Sequence, residues 1–419
     1  MRPRLGPDDL AAVERIMGPA DEALARGYPG DPGTRQPVHT VYLPADRVLP
    51  GITDRYGAAA RAALEEHAPD PGTLAGIVGA DPDRVAEVWP LLLAKLEREP
   101  VEDLRIDLED GYRGHTDDEE DADAVAAVTA LAVASPGASD PPYWGVRFRC
   151  LEAATRARGL RTLDLVLGAA LEAGPLPEGF RLTLPKVTSV EQVLAMAEAC
   201  ARLEAAYGLD PGRLRFEVQV ETAQAVLGPD GTATVARLVH AAAGRCDGLH
   251  FGTYDYTAAL GIAAAHQAMD HPVADHAKNV MLLASAGTGV PVSDGSTNLL
   301  PIGSAAQVHA GWARHFRLVG RSLERGLYQG WDLHPAQLPT RFLATFLFFR
   351  TGLDEVGERL RDYLAGTGGT VLDEPATARA LAGFLRRGVH CGAVTTEEAE
   401  ALTGVSLSVL DGLARGRRA

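Results

Sequence analysis

Eight short runs rich in β-branched and aromatic residues recur along this chain, and Ala/Leu/Arg-rich stretches with apolar residues at three- and four-residue spacing separate them. Such alternation marks βα units around a parallel sheet. The runs span residues 38–43, 103–108, 144–148, 181–187, 215–220, 248–252, 290–293 and 330–333. Eight of them predict an α/β fold of the (β/α)8 TIM barrel class. Helical periodicity predicts helices over 155–172, 189–207, 232–243 and 305–325, with a last barrel helix over 338–350. About sixty residues separate the first two runs, more than one crossover needs, so an extra helix is expected over 82–98. The chain therefore divides into an N-terminal helical extension (1–37), the barrel (38–350) and a C-terminal helical extension (351–419). A Gly-rich hinge near 365–370 precedes two short helices, which leaves the tail free to depart from its own barrel. The acidic stretch 117–123 reads as a solvated helix start, where carboxylates suit the dipole.

Composition narrows the partners. A formal net charge of −16 argues against nucleic acid and anionic membrane surfaces. Cys150, Cys200, Cys246 and Cys391 lie far apart without metal-ligand spacing, as in a reduced cytoplasmic chain. No apolar stretch is long enough for a secretory signal or a membrane span, so the expected localisation is cytoplasmic, with no membrane partner. Only Lys95, Lys186 and Lys278 are lysines, which leaves cationic work to arginine and limits Schiff-base chemistry to three candidates.

A βα barrel carries its active site at the C-terminal strand ends, and here those ends are polar. They read Pro44-Ala45-Asp46-Arg47, Asp107-Leu108-Glu109-Asp110, Arg147-Phe148-Arg149, Pro185-Lys186, Glu221-Thr222, Gly252-Thr253-Tyr254-Asp255, Asp294 and His334-Pro335. Carboxylates converging at one mouth repel unless a cation neutralises them. Oxygen ligands without nearby histidine or cysteine favour Mg²⁺, with Mn²⁺ as the alternative. Glu221 and Asp255, just past the ends of neighbouring strands, are the expected direct ligands; alternatively each caps the helix that follows. Lys186 is either an imine-forming lysine or a cation balancing the acidic mouth, and His334 either a base or a hydrogen-bonded structural residue.

The strings VYLPADR, DLEDGY, GVRFR, LPKVTS, VQVETAQAV, HFGTYDYTAALG and GWDLHPAQL, one per strand end and in order, resemble the CitE-like branch of the HpcH/HpaI aldolase family. That branch includes citrate lyase β subunits and the malyl-CoA and citramalyl-CoA lyases. The resemblance implies a TIM barrel and Mg²⁺-dependent carbon–carbon cleavage or condensation of hydroxy acids, often as CoA thioesters. It further implies a homo-oligomer, trimer or hexamer. Carried over, Glu221 and Asp255 are the metal ligands, and Glu109 and Asp110 hold metal-bound waters. Arg147 binds the 2-oxo acid and offsets enolate charge. Arg47 and Lys186 join Arg147 as the cations expected to meet the substrate. Asp373, in the tail string VLDEP, corresponds to an acid/base that enters a neighbouring subunit's site.

The sequence departs from the family where PGxR becomes Pro44-Ala45-Asp46-Arg47 and where Arg149 replaces the asparagine of VRxN. Other groups thus stand where the CoA thioester or acid tail would lie. The same parts would also serve an acyl-CoA thioesterase, a malate-synthase-like condensing enzyme or a non-catalytic acid-binding subunit.

Overall fold

A computed structural model describes residues 4–132, 141–366 and 374–416. A strand overlaps each expected run: β1 His39–Pro44, β2 Asp103–Asp107, β3 Tyr143–Arg147, β4 Phe180–Leu184, β5 Phe216–Val220, β6 Cys246–Phe251, β7 Val292–Ser293 and β8 Gly330–Asp332. They form one sheet in the order β7-β6-β5-β4-β3-β2-β1-β8, with parallel pairing throughout. A parallel bridge from Ser293 to Gln329, just before β8, closes the barrel. Helices Arg156–Ala173, Val190–Tyr207, Thr234–Ala241, Ala305–Glu324 and Leu338–Arg350 occupy the expected crossovers.

Two helical regions are richer than expected. Between β1 and β2 lie three helices, Ile52–His67, Pro71–Val78 and the expected extra helix Pro82–Arg98. Asp70 and Asp81 cap the second and third, accepting the N–H groups of Thr73 and Asp83, and each cap precedes a proline preset for a first helical turn. Four helices follow residue 350: Leu353–Ala365, Pro375–Cys391, Thr396–Thr403 and Leu407–Ala414. The helix that starts at Pro375 docks on the chain's own barrel. Ala378, Leu381 and Leu385 join the barrel's hydrophobic core, and Phe384 packs 5.0 Å from Phe349. Arg386 bridges Asp31 and Asp411. At the other terminus, helix Pro7–Gly27 buries none of its residues. The acidic run opens helix Asp117–Ala132 as expected, yet Glu120 is buried, accepting from Arg149, Arg158 and Thr162. All four cysteines are buried and free, and no helix among the described residues is long and apolar enough to cross a membrane.

Polar groups fill much of the barrel interior, and they pair with one another. Arg105 bonds Asp103 and reaches Glu217 at 3.0 Å, and Thr183 donates to Glu217 at 2.6 Å. Tyr42 donates its hydroxyl to the same carboxylate at 3.2 Å. Burying charge is costly unless each group finds a partner, and this network supplies them.

Asp332, at the end of β8, ties the last strand to three other elements. It meets His39 of β1 at 2.7 Å, His315 at 3.0 Å and the guanidinium of Arg341 at 3.0 Å. Burial pushes its carboxyl up, but the Arg341 charge and the two imidazole bonds outweigh this and hold it well below the usual range. Asp332→Asn leaves a buried guanidinium without its counter-charge, so the expected loss is about 3–5 kcal/mol of unfolding free energy. Reversible urea denaturation measures it; a change of less than about 1 kcal/mol would show that the closure does not depend on this group.

Candidate active site

The mouth is assembled from strand ends that parallel register places side by side. Asp107 and Arg147 are direct partners across β2 and β3. Both guanidinium contacts from Arg147 to Asp107 measure 2.7 Å, a two-point grip. The remaining terminal nitrogen lies 3.7 Å from Glu109, and the guanidinium sits 4.6 Å above the Tyr42 ring. Asp107 also accepts the N–H groups of Glu109 and Gly111, at 3.0 and 2.8 Å. This tight turn is what carries Glu109 and Asp110 at the strand end.

Lys186 follows β4 with φ of 50°, in the left-handed region that a side chain rarely adopts. Its N–H donates to Glu221 at 2.7 Å. Its ammonium donates to Asp110 at 2.9 Å and Asp255 at 2.8 Å, and lies 3.3 Å from Glu109. Four carboxylates from three strand ends thus surround one lysine. Glu221 stands directly after β5 and is buried; Asp255 lies in the first turn of helix Thr253–Ala259 and is half exposed. Gly252 makes room for Glu221, because a Cβ there would stand 2.5 Å from the Glu221 Cβ and 2.6 Å from one of its carboxylate oxygens.

Electrostatics at the mouth are unbalanced. Asp107, Glu109, Asp110, Glu221 and Asp255 face two cations, Arg147 and Lys186. Burial pushes the carboxyls of Glu109 and Glu221 well up, and neighbouring carboxylates push in the same direction against the pull of Arg147 and Lys186. Burial also raises Asp110, but the hydrogen bond and charge of Lys186 leave it lowered on balance. Asp110, Glu221 and Asp255 each offer an oxygen, all within 4.8 Å of one another. An all-oxygen set of three with excess negative charge fits a hard divalent cation.

The structure brings together Glu109, Asp110, Arg147, Lys186, Glu221 and Asp255. Asp110, expected to hold water, stands level with the two expected ligands. Arg47 lies exposed in the turn after β1 and makes no ion pair among the described residues. Asp373 lies outside the described residues. His334 caps the turn Pro335–Gln337, its Nδ1 accepting the Ala336 N–H. Asp294 is held by Lys278 at 2.9 Å, away from solvent. Sequence reading missed Asp107 as the holder of Arg147 and Tyr42 as its floor; the acid inside DLED was the available signal. Arg149 pairs with Glu120 at 2.7 Å and borders a cavity of about 280 Å³ beside Asp110, shared with Arg113 and Thr155.

A family model for a domain of unknown function, DUF6986, matches residues 17–418. The chain belongs to this family. No curated protein matches it by sequence. Among solved structures, a citrate lyase from Burkholderia xenovorans LB400 is 22% identical, with 75% of this chain and 92% of that chain covered at a TM-score of 0.55. Native malate synthase from Haloferax volcanii at 3 mM glyoxylate is 15% identical, with 90% and 96% covered at a TM-score of 0.50. These likenesses concern the fold, and the first accords with the CitE-like resemblance of the strand-end motifs.

Gly252→Ala is expected to displace the Glu221 carboxylate while leaving the barrel folded. Mg²⁺ affinity by calorimetry should fall at least about tenfold if Glu221 belongs to a cation site, with an unchanged circular dichroism spectrum. Retained affinity would separate Glu221 from any cation site.

Proposed function

We propose that the chain is a divalent-metal-dependent carbon–carbon lyase or aldolase, cleaving or forming a hydroxy acid or its CoA thioester through an enolate. The observation that carries this reading is the convergence of Asp110, Glu221 and Asp255 oxygens within 4.8 Å, beside a guanidinium already aligned by Asp107. These three carboxylates would hold Mg²⁺, with Mn²⁺ as the alternative, and Glu109 would accept hydrogen bonds from its water. When bound, such a cation supplies Lewis-acid polarisation of a carbonyl or hydroxyl oxygen.

The protein's own groups do the rest. Asp107 occupies two nitrogens of Arg147, which leaves the third, on the Glu109 side, to grip a substrate carboxylate and steady charge on an enolate oxygen. Lys186, bonded to two carboxylates and raised well above its ordinary value on balance, stays protonated; burial works against this, and the charge of Glu221 leads the groups that favour it. A lysine paired with carboxylates in this way is not poised as an amine nucleophile, which favours metal chemistry over an imine. Arg47 on the rim, and Arg113 and Arg149 around the adjoining cavity, would meet the distant acid group or thioester. The fold shared with a citrate lyase and a malate synthase supports both cleavage and condensation as directions.

Incubation with Mg²⁺ and a panel of 2-hydroxy acids and their CoA thioesters, following 2-oxo acid release, tests the activity. Glu221→Gln and Asp255→Asn should each abolish turnover and weaken Mg²⁺ binding in calorimetry, because a neutral amide replaces an anionic oxygen. Unchanged affinity in both, or a borohydride-trapped adduct on Lys186, would overturn the metal reading.

On the resemblance, Asp373 supplies the proton to the enolate carbon of a neighbouring copy. Mixing Asp373→Asn with Glu221→Gln chains, each inactive alone, should restore part of the activity. No rescue in proven mixed oligomers would remove Asp373 from that role.

A further inference from the structure

A second cavity, of about 340 Å³, lies at the end of the barrel opposite the mouth. Its wall is the N-terminal rim of the strands, where Arg181 of β4, Arg215 just before β5 and Asp247 of β6 come together. Segment 31–38 and the last turns of helix Pro375–Cys391 roof it, and Arg387 enters from that helix.

Positive charge exceeds its partners here. Of the six arginines in its lining, Arg35 is paired with Glu99 and Glu102, Arg386 with Asp31 and Asp411, and Arg105 with Asp103 and Glu217, which leaves Arg181, Arg215 and Arg387. Arg181 and Arg215 both converge on the single carboxylate of Asp247, the latter at 2.9 Å. Arg387 stacks 4.4 Å over the Tyr328 ring and forms no ion pair among the described residues. The Arg215 Nε is buried without a hydrogen-bond partner. His250 at the floor, 2% exposed, gives its Nε2 to Glu217 at 3.0 Å and leaves Nδ1 unpartnered. Burial, then repulsion from Arg105 and Arg215, holds the Arg181 guanidinium down at about 10. An anion would relieve the arginine conditions, and planar guanidinium forks suit carboxylate and phosphate oxygens. The volume falls in the range that takes small-molecule ligands.

We propose that this cavity binds a small organic polyanion, bearing carboxylate or phosphate groups, at a site separate from the carboxylate mouth. The inference is independent of the reaction assigned above, since none of the mouth residues lines this cavity.

Calorimetric titration of the full-length chain with citrate, and separately with pyrophosphate, in buffer free of other polyanions tests it. One saturable event per chain is expected. Its affinity should fall at least tenfold in Arg387→Glu and in Arg215→Ala, and stay unchanged in Glu221→Gln. Tighter binding of citrate marks a carboxylate ligand; tighter binding of pyrophosphate marks a phosphate ligand. Arg387 is half-buried on the outer helix, so its variant keeps the test meaningful if Arg215→Ala fails to fold, as thermal melting will report. The proposal is overturned if neither anion saturates, or if binding survives Arg387→Glu and disappears in Arg147→Lys.

Discussion

The mouth of this barrel depends on the attraction between one ammonium group and carboxylates delivered by separate strands. Lys186 reaches Asp110 and Asp255 with its side chain and Glu221 with its backbone N–H, and it does so from a left-handed backbone conformation. A non-glycine residue persists in such a conformation only where surrounding contacts over-determine it; here the carboxylates provide them. Without Lys186, Glu109, Asp110, Glu221 and Asp255 would repel one another at the opening. Two carboxylates that hold the ammonium, Asp110 and Asp255, lie with Glu221 in the trio whose oxygens are within 4.8 Å of one another, so a cation bound there would compete with the ammonium for them.

Behind the mouth, polar contacts run the length of the barrel. The Arg147 guanidinium rests on the Tyr42 ring, the Tyr42 hydroxyl bonds Glu217, and Glu217 binds Arg105 and His250 near the far cavity. In a low-dielectric interior each link strengthens its neighbours and each missing partner is costly. That condition accounts for the dense pairing at mid-barrel. It also sets apart the two ends, one with excess negative charge and the other with excess positive charge.

Much of the fold was legible because its signals are local. Strand residues alternate with helical periodicity inside short windows, and each of the eight strands overlaps a run read from sequence, with ends differing by up to three residues. One under-counted helix had a local signal too, an aspartate cap followed by proline at Asp70-Pro71, which the length of the gap alone did not resolve. Glu120 was harder to place. An acidic helix start reads as solvated until the neighbouring helix Arg156–Ala173 brings Arg158 and Thr162 over it.

What the sequence determined by itself was the barrel and the chemical character of its strand ends, because periodicity and polarity belong to consecutive residues. It marked Glu221 and Asp255 as carboxylates at one rim and Arg147 as a cation beside them. Tertiary structure decided which groups are committed to each other. Asp107 holds Arg147 because β2 and β3 pair in that register, and Lys186 lies among Asp110 and Asp255 because the barrel brings it to partners 76 and 69 positions away. The arginine-lined cavity was likewise invisible in the chain, since Arg181, Arg215 and Arg387 meet only when the tail helix docks across the strands' N-terminal rim. Charge pairing falls off with distance in space, not along the sequence, and only the folded chain sets those distances.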